Sequence, residues 1–212
     1  MNTKTRQAGF TLVEIAIVLV IIGLLLGGIL KGQEMITQAK IKNTMADFSG
    51  ISAAYHGYQD RYRAIPGDDK AADRWSGAVV GDGNGLVAGK YNSGTATDES
   101  RKFWDHLRRA GFVSGSGTSQ PYNSATGMIG VQTGNNGTGT VLGGFGGLIM
   151  CSANLPDKIA IAVDTQMDDG VVGTGTVRGQ LQSQVNPDIN TAADTSAYAE
   201  TGTNSYVLCR AL

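Results

Sequence analysis

From Phe10 to Leu30 the chain is almost uninterruptedly apolar, and its only charge in that run is Glu14. At about 1.5 Å rise per residue such a run makes a helix about 32 Å long, enough to cross the hydrocarbon core of a bilayer. From Lys31 the pattern changes rather than stops. Ile41, Met45, Phe48, Ile51, Tyr55, Tyr58 and Tyr62 recur at spacings of three and four, which puts them on one stripe of a helix. Ile65-Pro66-Gly67 ends the pattern, because proline disfavours the helical region for the residue before it. The prediction is one helical segment over 10–65, with an apolar half at 10–30 and an amphipathic half at 31–65. As a rod from Phe10 to about Arg63 it would be roughly 80 Å long, its second half packing on a globular head.

Past Pro66 the pattern breaks into short pieces. Asp68-Asp69 can cap a short helix running through Trp75. Glu99 to Ala110 reads as a second helix with Phe103, Trp104, Leu107 and Ala110 inward and Gly111 as its stop. Asn154 to Met167 fits two templates. Ile159, Ile161 and Val163 alternate like a strand, while Leu155, Ile159, Ala162, Val163 and Met167 follow a helix; Asn154 as cap and Pro156 in the first turn favour the helix. Strands are expected at Val141–Cys151, Thr176–Gln182 and Ser205–Arg210. The class is α+β: a long N-terminal helical spine packed on a small head, 66–212, with an antiparallel β-sheet. Neither an internal repeat nor an interdomain linker is visible.

Composition adds two constraints. Of 212 residues, 17 are basic and 18 acidic, so no overall field recruits nucleic acid or an anionic surface. Glycine supplies 31 residues, in clusters that are costly to order. Cys151 and Cys209 could offset part of that cost. Both lie in the distal half, and if the positively charged N-terminus stays inside, that half is exported to a compartment where disulfides persist. Closing a loop of about 59 residues is worth roughly 4 kcal/mol in the chain-entropy model. Two unpaired buried thiols are the alternative.

The start of the chain is the most specific signal. A short leader, 1–9, with Lys4 and Arg6 and no acid, ends at Gly9. An ordinary signal peptide places small residues after its apolar core, where Gly27 and Gly28 stand. Here a Gly followed by a bulky residue also lies before the core, so cutting there would remove the leader and keep the helix. Glu14 is costly so deep in an apolar helix and by default marks function.

At these residues, GFTLVEIAIVLVIIGLLLGGIL from Gly9 to Leu30, the chain resembles the type IV pilin and pseudopilin superfamily. The resemblance implies cleavage between Gly9 and Phe10, N-methylation of Phe10, and an assembly role in which Glu14 neutralises the Phe10 amine of a neighbouring subunit. It also implies a disulfide-bounded region tied by Cys151 and Cys209. Its implied partners are other copies or other pilins, a prepilin peptidase, a platform protein of the inner membrane, an assembly ATPase, and membrane lipid before assembly. The implied location is a single-pass prepilin in the bacterial inner membrane with its head in the periplasm, then an extracellular pilus or a periplasmic pseudopilus. One departure is Lys31, where many pilins have the proline at which the spine kinks or melts. Gly27, Gly28 and Gly32 are the nearest weak points. Beyond Pro66 the likeness is only general.

Other chemistry is thinner. Asp82 and Asn84 resemble the start of a calcium loop, and Asp164, Asp168 and Asp169 form a second oxygen-rich cluster; some pseudopilins hold calcium in a head loop. Neither cluster fits an EF-hand, and turn chemistry without metal is the favoured reading; no other cofactor is indicated. His56 and His106 sit in no nucleophile or zinc motif, so an enzyme is not expected. His106 with Arg101, Lys102, Arg108 and Arg109 reads as a solvated basic face, too thin and too mixed with Glu99 and Asp105 for nucleic acid. The expected function is a structural subunit of a type IV pilus. The alternative is a type II secretion pseudopilin, and the reading from another class is a signal-anchored periplasmic binding domain.

Overall fold

The computed structural model describes residues 11–134, 141–189 and 194–212. Helix α1 spans Leu12–Tyr62. The chain divides into two compact units, 1–39 and 40–212. The fold is α+β, a long N-terminal helix followed by a C-terminal four-stranded antiparallel sheet.

In the first unit, the described residues from Leu12 onward are helical and their apolar side chains are exposed. Ile22, the least exposed of the large ones, still shows 46% of its surface, and Leu12 shows 91%. Nothing approaches a Cβ built on Gly23, Gly27, Gly28 or Gly32. Alanine would fit at each of them and favour the helix by about 1 kcal/mol, so close packing within the chain does not account for these glycines.

In the second unit, α1 buries Ile41, Thr44, Phe48, Ile51, Ala54, Tyr55 and Tyr58, while Met45 and Tyr62 are partly covered. This is the stripe that the spacing predicts. The helix ends at Tyr62, with Arg63 in the left-handed region at φ 53° and Pro66 following. Helix α2 spans Glu99–Arg109 and is stopped by Gly111 at φ 81°; helix α3 spans Asp157–Met167. Strands β1 (Ile129–Thr133), β2 (Leu148–Pro156), β3 (Val177–Leu181) and β4 (Ser205–Ala211) lie in the order β1-β2-β4-β3, every neighbour antiparallel.

Both faces of the sheet are covered. Met150, Leu155 and Leu208 share a core with the α1 stripe, Phe103, Trp104 and Leu107 of α2, and Ile159 and Val163 of α3. On the other face Ile149, Cys151, Ala153, Val207 and Cys209 pack under Tyr91, Leu142, Phe145 and Ile189, all from loops and turns. Full burial of a large apolar side chain contributes about 1.5–3 kcal/mol, so the loop layer is a second source of cohesion. Glycine is required where that layer crosses β1: a Cβ on Gly130 would stand 2.0 Å from the Tyr91 carbonyl oxygen.

Several expected elements are corrected. The strand expected over Val141–Cys151 begins seven residues later, because Leu142, Gly143, Gly144 and Gly147 take positive φ, outside the extended region that regular strand pairing needs. Val141–Gly143 is a short 3-10 turn instead. Strand β1 was not anticipated, since all five of its residues are buried and no alternation betrays it. Asn154 and Pro156 belong to β2 rather than to the start of α3. Asn154 takes φ 55° at a bulge between Ser152 and Leu155, and α3 starts at Asp157. The helix expected from Asp68-Asp69 through Trp75 is a single 3-10 turn, Ala72–Arg74.

Candidate functional site

Helix α1 opens with a reciprocal cap. The Thr11 amide and hydroxyl both donate to Oε2 of Glu14, each at 2.8 Å, and the Glu14 amide donates back to Thr11 Oγ1 at 3.3 Å. Thr11 precedes the first helical residue and Glu14 is the third, so the pair is a capping box, with an anion at the positive end of the helix. Beyond it the most apolar window of α1 has none of its residues buried. The helix is long and apolar enough to cross a membrane, and the stretch that qualifies is exposed, unlike the later part of α1 that lies in the core of the head. Gly9 and Phe10 lie outside the described residues.

The head holds two carboxylate clusters. In the first, Asp82 lies with Asp68 and Glu99, one ligand atom of each within 4.8 Å of the others. Local pattern marks Asp68 as a cap and Glu99 as the start of a helix and an acid among the α2 cations, and no local spacing ties either to Asp82. The oxygens of both are taken up by a loop. Asp68 Oδ1 accepts from the Gly83 and Asn84 amides at 2.5 and 3.0 Å, and Oδ2 from Gly85 at 2.8 Å. Glu99 accepts from the Asp82 amide through Oε1 and from Ala88 through Oε2, both at 3.0 Å. Asn84 lies beside Asp82: its side-chain oxygen accepts from the Leu86 amide at 2.8 Å and its Nδ2 donates to Asp82 Oδ2 at 2.9 Å. This is a latch on residues 82–88 built by two buried carboxylates.

The second cluster joins Asp164, Asp168 and Asp169 at the end of α3, again with ligand atoms within 4.8 Å. Asp168 Oδ2 accepts from the Thr176 and Val177 amides; Asp169 accepts from the Val171 amide and the Thr174 hydroxyl. Asp164 is wholly buried. Its Oδ2 accepts from the Tyr198 hydroxyl at 2.6 Å, and its Oδ1 has no hydrogen-bond partner. Burial pushes its carboxyl up, and the nearby Asp169 and Asp168 charges add to this against Tyr198 and the Gly170 amide.

The cations of α2 keep part of their surface in solvent, Arg109 exposed and Arg101, Lys102 and Arg108 half-covered, but His106 does not share that face. His106 is wholly buried. Its Nδ1 accepts from the Gly67 amide and its Nε2–H donates to the Val79 carbonyl, both at 2.9 Å, which assigns the neutral ring. Burial pushes its pKa below the ordinary 6.5. The flanking cations bind loop carbonyls: Arg101 those of Thr118 and Ser93, Lys102 that of Val80, Arg108 those of Gly117 and Ser119, Arg109 that of Ser76. Glycine-rich loops present carbonyls in place of side chains, and long cationic side chains reach them. Cys151 and Cys209 face each other across β2 and β4 and are bonded.

Residues 4–30 match the prokaryotic N-terminal methylation motif. No match was found among curated proteins or among solved structures. The motif spans the basic leader and the apolar run that α1 exposes; its family is structural rather than enzymatic, and the helix fits a single membrane anchor. Residues 4–30 therefore give this chain the N-terminal signal of a type IV pilin or pseudopilin-type precursor.

Proposed function

We propose that this chain is a structural subunit of a type IV pilus. It enters the inner membrane as a prepilin, is cut between Gly9 and Phe10, is methylated on Phe10, and polymerises by packing of its apolar helices. One observation carries the reading: a methylation motif lies on an apolar helix whose side chains are left exposed. Helical stacking of such subunits is head-to-tail and does not close on itself, so it grows into a filament. Glu14 supplies the register. Its carboxylate, capped by Thr11 in the single chain, exchanges that partner for the amine which cleavage creates on a neighbouring Phe10. Any local unwinding of the spine falls at Gly27, Gly28 or Gly32.

The test is mass spectrometry of the mature N-terminus together with Glu14→Ala. A methylated Phe10 terminus is expected, and Glu14→Ala should insert in the membrane but yield no filaments. An uncut Met1, or normal filaments from the variant, would overturn the proposal. The secretion pseudopilin is the second reading, favoured by Lys31 in place of the spine proline; the Cys151–Cys209 bond favours the pilus. Long extracellular fibres would decide for the pilus. A short periplasmic fibre, with secretion lost on deletion, would decide for the pseudopilus.

A further inference from the structure

We propose that Asn84-Gly85, in the loop that Asp68 and Glu99 hold, is a self-modifying site at which Asn84 loses ammonia through a cyclic imide and becomes aspartate or isoaspartate. The reaction needs a backbone nitrogen as nucleophile, a base for its proton, a donor on the carbonyl oxygen under attack, and an open approach. The loop brings these together at one peptide bond. The nucleophile is the Gly85 nitrogen, whose N–H donates to Asp68 Oδ2 at 2.8 Å. Asp68 is buried and oriented, because its Oδ1 is held by the Gly83 and Asn84 amides. The electrophile is Asn84 Cγ. Its carbonyl oxygen accepts from the Leu86 amide at 2.8 Å, an Asx turn that folds the side chain back along the following backbone. The leaving nitrogen, Nδ2, donates to Asp82 Oδ2 at 2.9 Å. Residues 82–86 are exposed, and no atom beyond its chain neighbours stands within 4 Å of a Cβ built on Gly85.

The atoms balance with water as the only co-reactant. The Gly85 nitrogen gives its proton to Asp68 and bonds to Asn84 Cγ, closing the imide ring. The Cγ–Nδ2 bond breaks, and the proton reaches Nδ2 by way of solvent and Asp82, whose carboxylate has an oxygen within 4.8 Å of one on Asp68, so that ammonia departs. Water then opens the imide at either carbonyl, giving aspartate or an isoaspartate whose backbone is longer by one carbon. A latched loop ordinarily slows this reaction by fixing the chain. Here the groups that fix the loop are the ones the reaction uses. The product carries a further carboxylate beside Asp68, Asp82 and Glu99, and like charges repel, so the modified loop is released from its latch.

The experiment incubates the full chain at neutral pH, native in detergent micelles or unfolded in guanidinium chloride. The tryptic peptide 75–90 is then followed by mass spectrometry for the mass gain of amide-to-acid conversion. The native chain should convert faster than the unfolded one by about tenfold, modest beside the roughly 10²–10⁴ that a positioned acid or base gives an enzyme. Asp68→Asn is the decisive variant, because it loosens the loop and removes the base together. Were flexibility alone in control, this variant would convert faster; the proposal requires it to convert more slowly, near the unfolded rate, with a thermal melt showing that it is folded. Asp82→Ala, at an exposed position, should slow conversion as well and does not put folding at stake. Native conversion no faster than unfolded, or unchanged or faster conversion in either variant, would overturn the proposal. So would a mass gain in peptide 75–90 that persists in Asn84→Gln.

Discussion

At the residue scale, Glu14, which local pattern marks as an anomaly, and His106, which it reads as part of a solvated face, are each held by named partners. Glu14 has the Thr11 amide and hydroxyl; any neighbouring amine must compete with that cap. His106 has the Gly67 amide and the Val79 carbonyl, with Asp69, Asp105 and Lys102 the charged groups facing it. Its folded pKa lies below 6.5, so the unfolded chain takes up its proton first on acidification. The stability contributed by the neutral ring is fully present above about 6.5 and lost as pH falls, by at most about 1.4 kcal/mol per pH unit until the folded pKa is reached. Denaturant midpoints of the full chain at pH 7.5 and 5.5 should show this loss, and His106→Gln should remove most of the slope. Asp69 and Asp157, with lowered carboxyl pKa values, act only below the ordinary carboxylate range and do not share that window. An unchanged slope in His106→Gln would refute the assignment.

At the element scale, α2 acts as an anchor for loops. Its N-terminal Glu99, together with Asp68, fixes the amides of residues 82–88, and its arginines fix carbonyls of residues 76 and 117–119. Asp68→Asn preserves size but turns one acceptor into a donor facing the Gly85 amide. The expected loss is about 1–3 kcal/mol, with hydrogen-exchange protection of Gly83, Asn84 and Gly85 reduced while that of β2 and β4 is retained. Unaltered protection at those three amides would show that Asp68 does not hold the loop. The strands teach a related lesson. Because α1 covers one face and Tyr91, Leu142 and Phe145 the other, β1 and β2 present no polar alternation, and only β3 and β4 stand near their expected bounds.

At the scale of the whole molecule, the disulfide joins the two central strands across a separation of 58 residues. A cross-link of that span is worth about 4 kcal/mol, large beside the total stability of a domain. Reduction, or Cys151→Ser with Cys209→Ser, should lower the unfolding free energy of the head by about that amount in denaturant titrations of the full chain. A loss well under 1 kcal/mol would mean that the sheet alone holds the reduced head together. The sequence by itself determined the apolar helix, its amphipathic continuation, its stop before Pro66 and the N-terminal motif over residues 4–30, because each is written in neighbours along the chain. A run of Leu, Ile and Val, a spacing of three and four, or a Gly-Phe pair needs no distant partner to be read. Tertiary structure decided the rest. Asp68 meets its loop amides only through a turn of the chain, Asp164 meets Tyr198 across 34 residues, and His106 becomes a buried bridge because the Pro66-Gly67 turn and the Val79 loop close over α2. Such roles depend on which distant amide or hydroxyl folding brings within 3 Å, and local pattern carries no record of that.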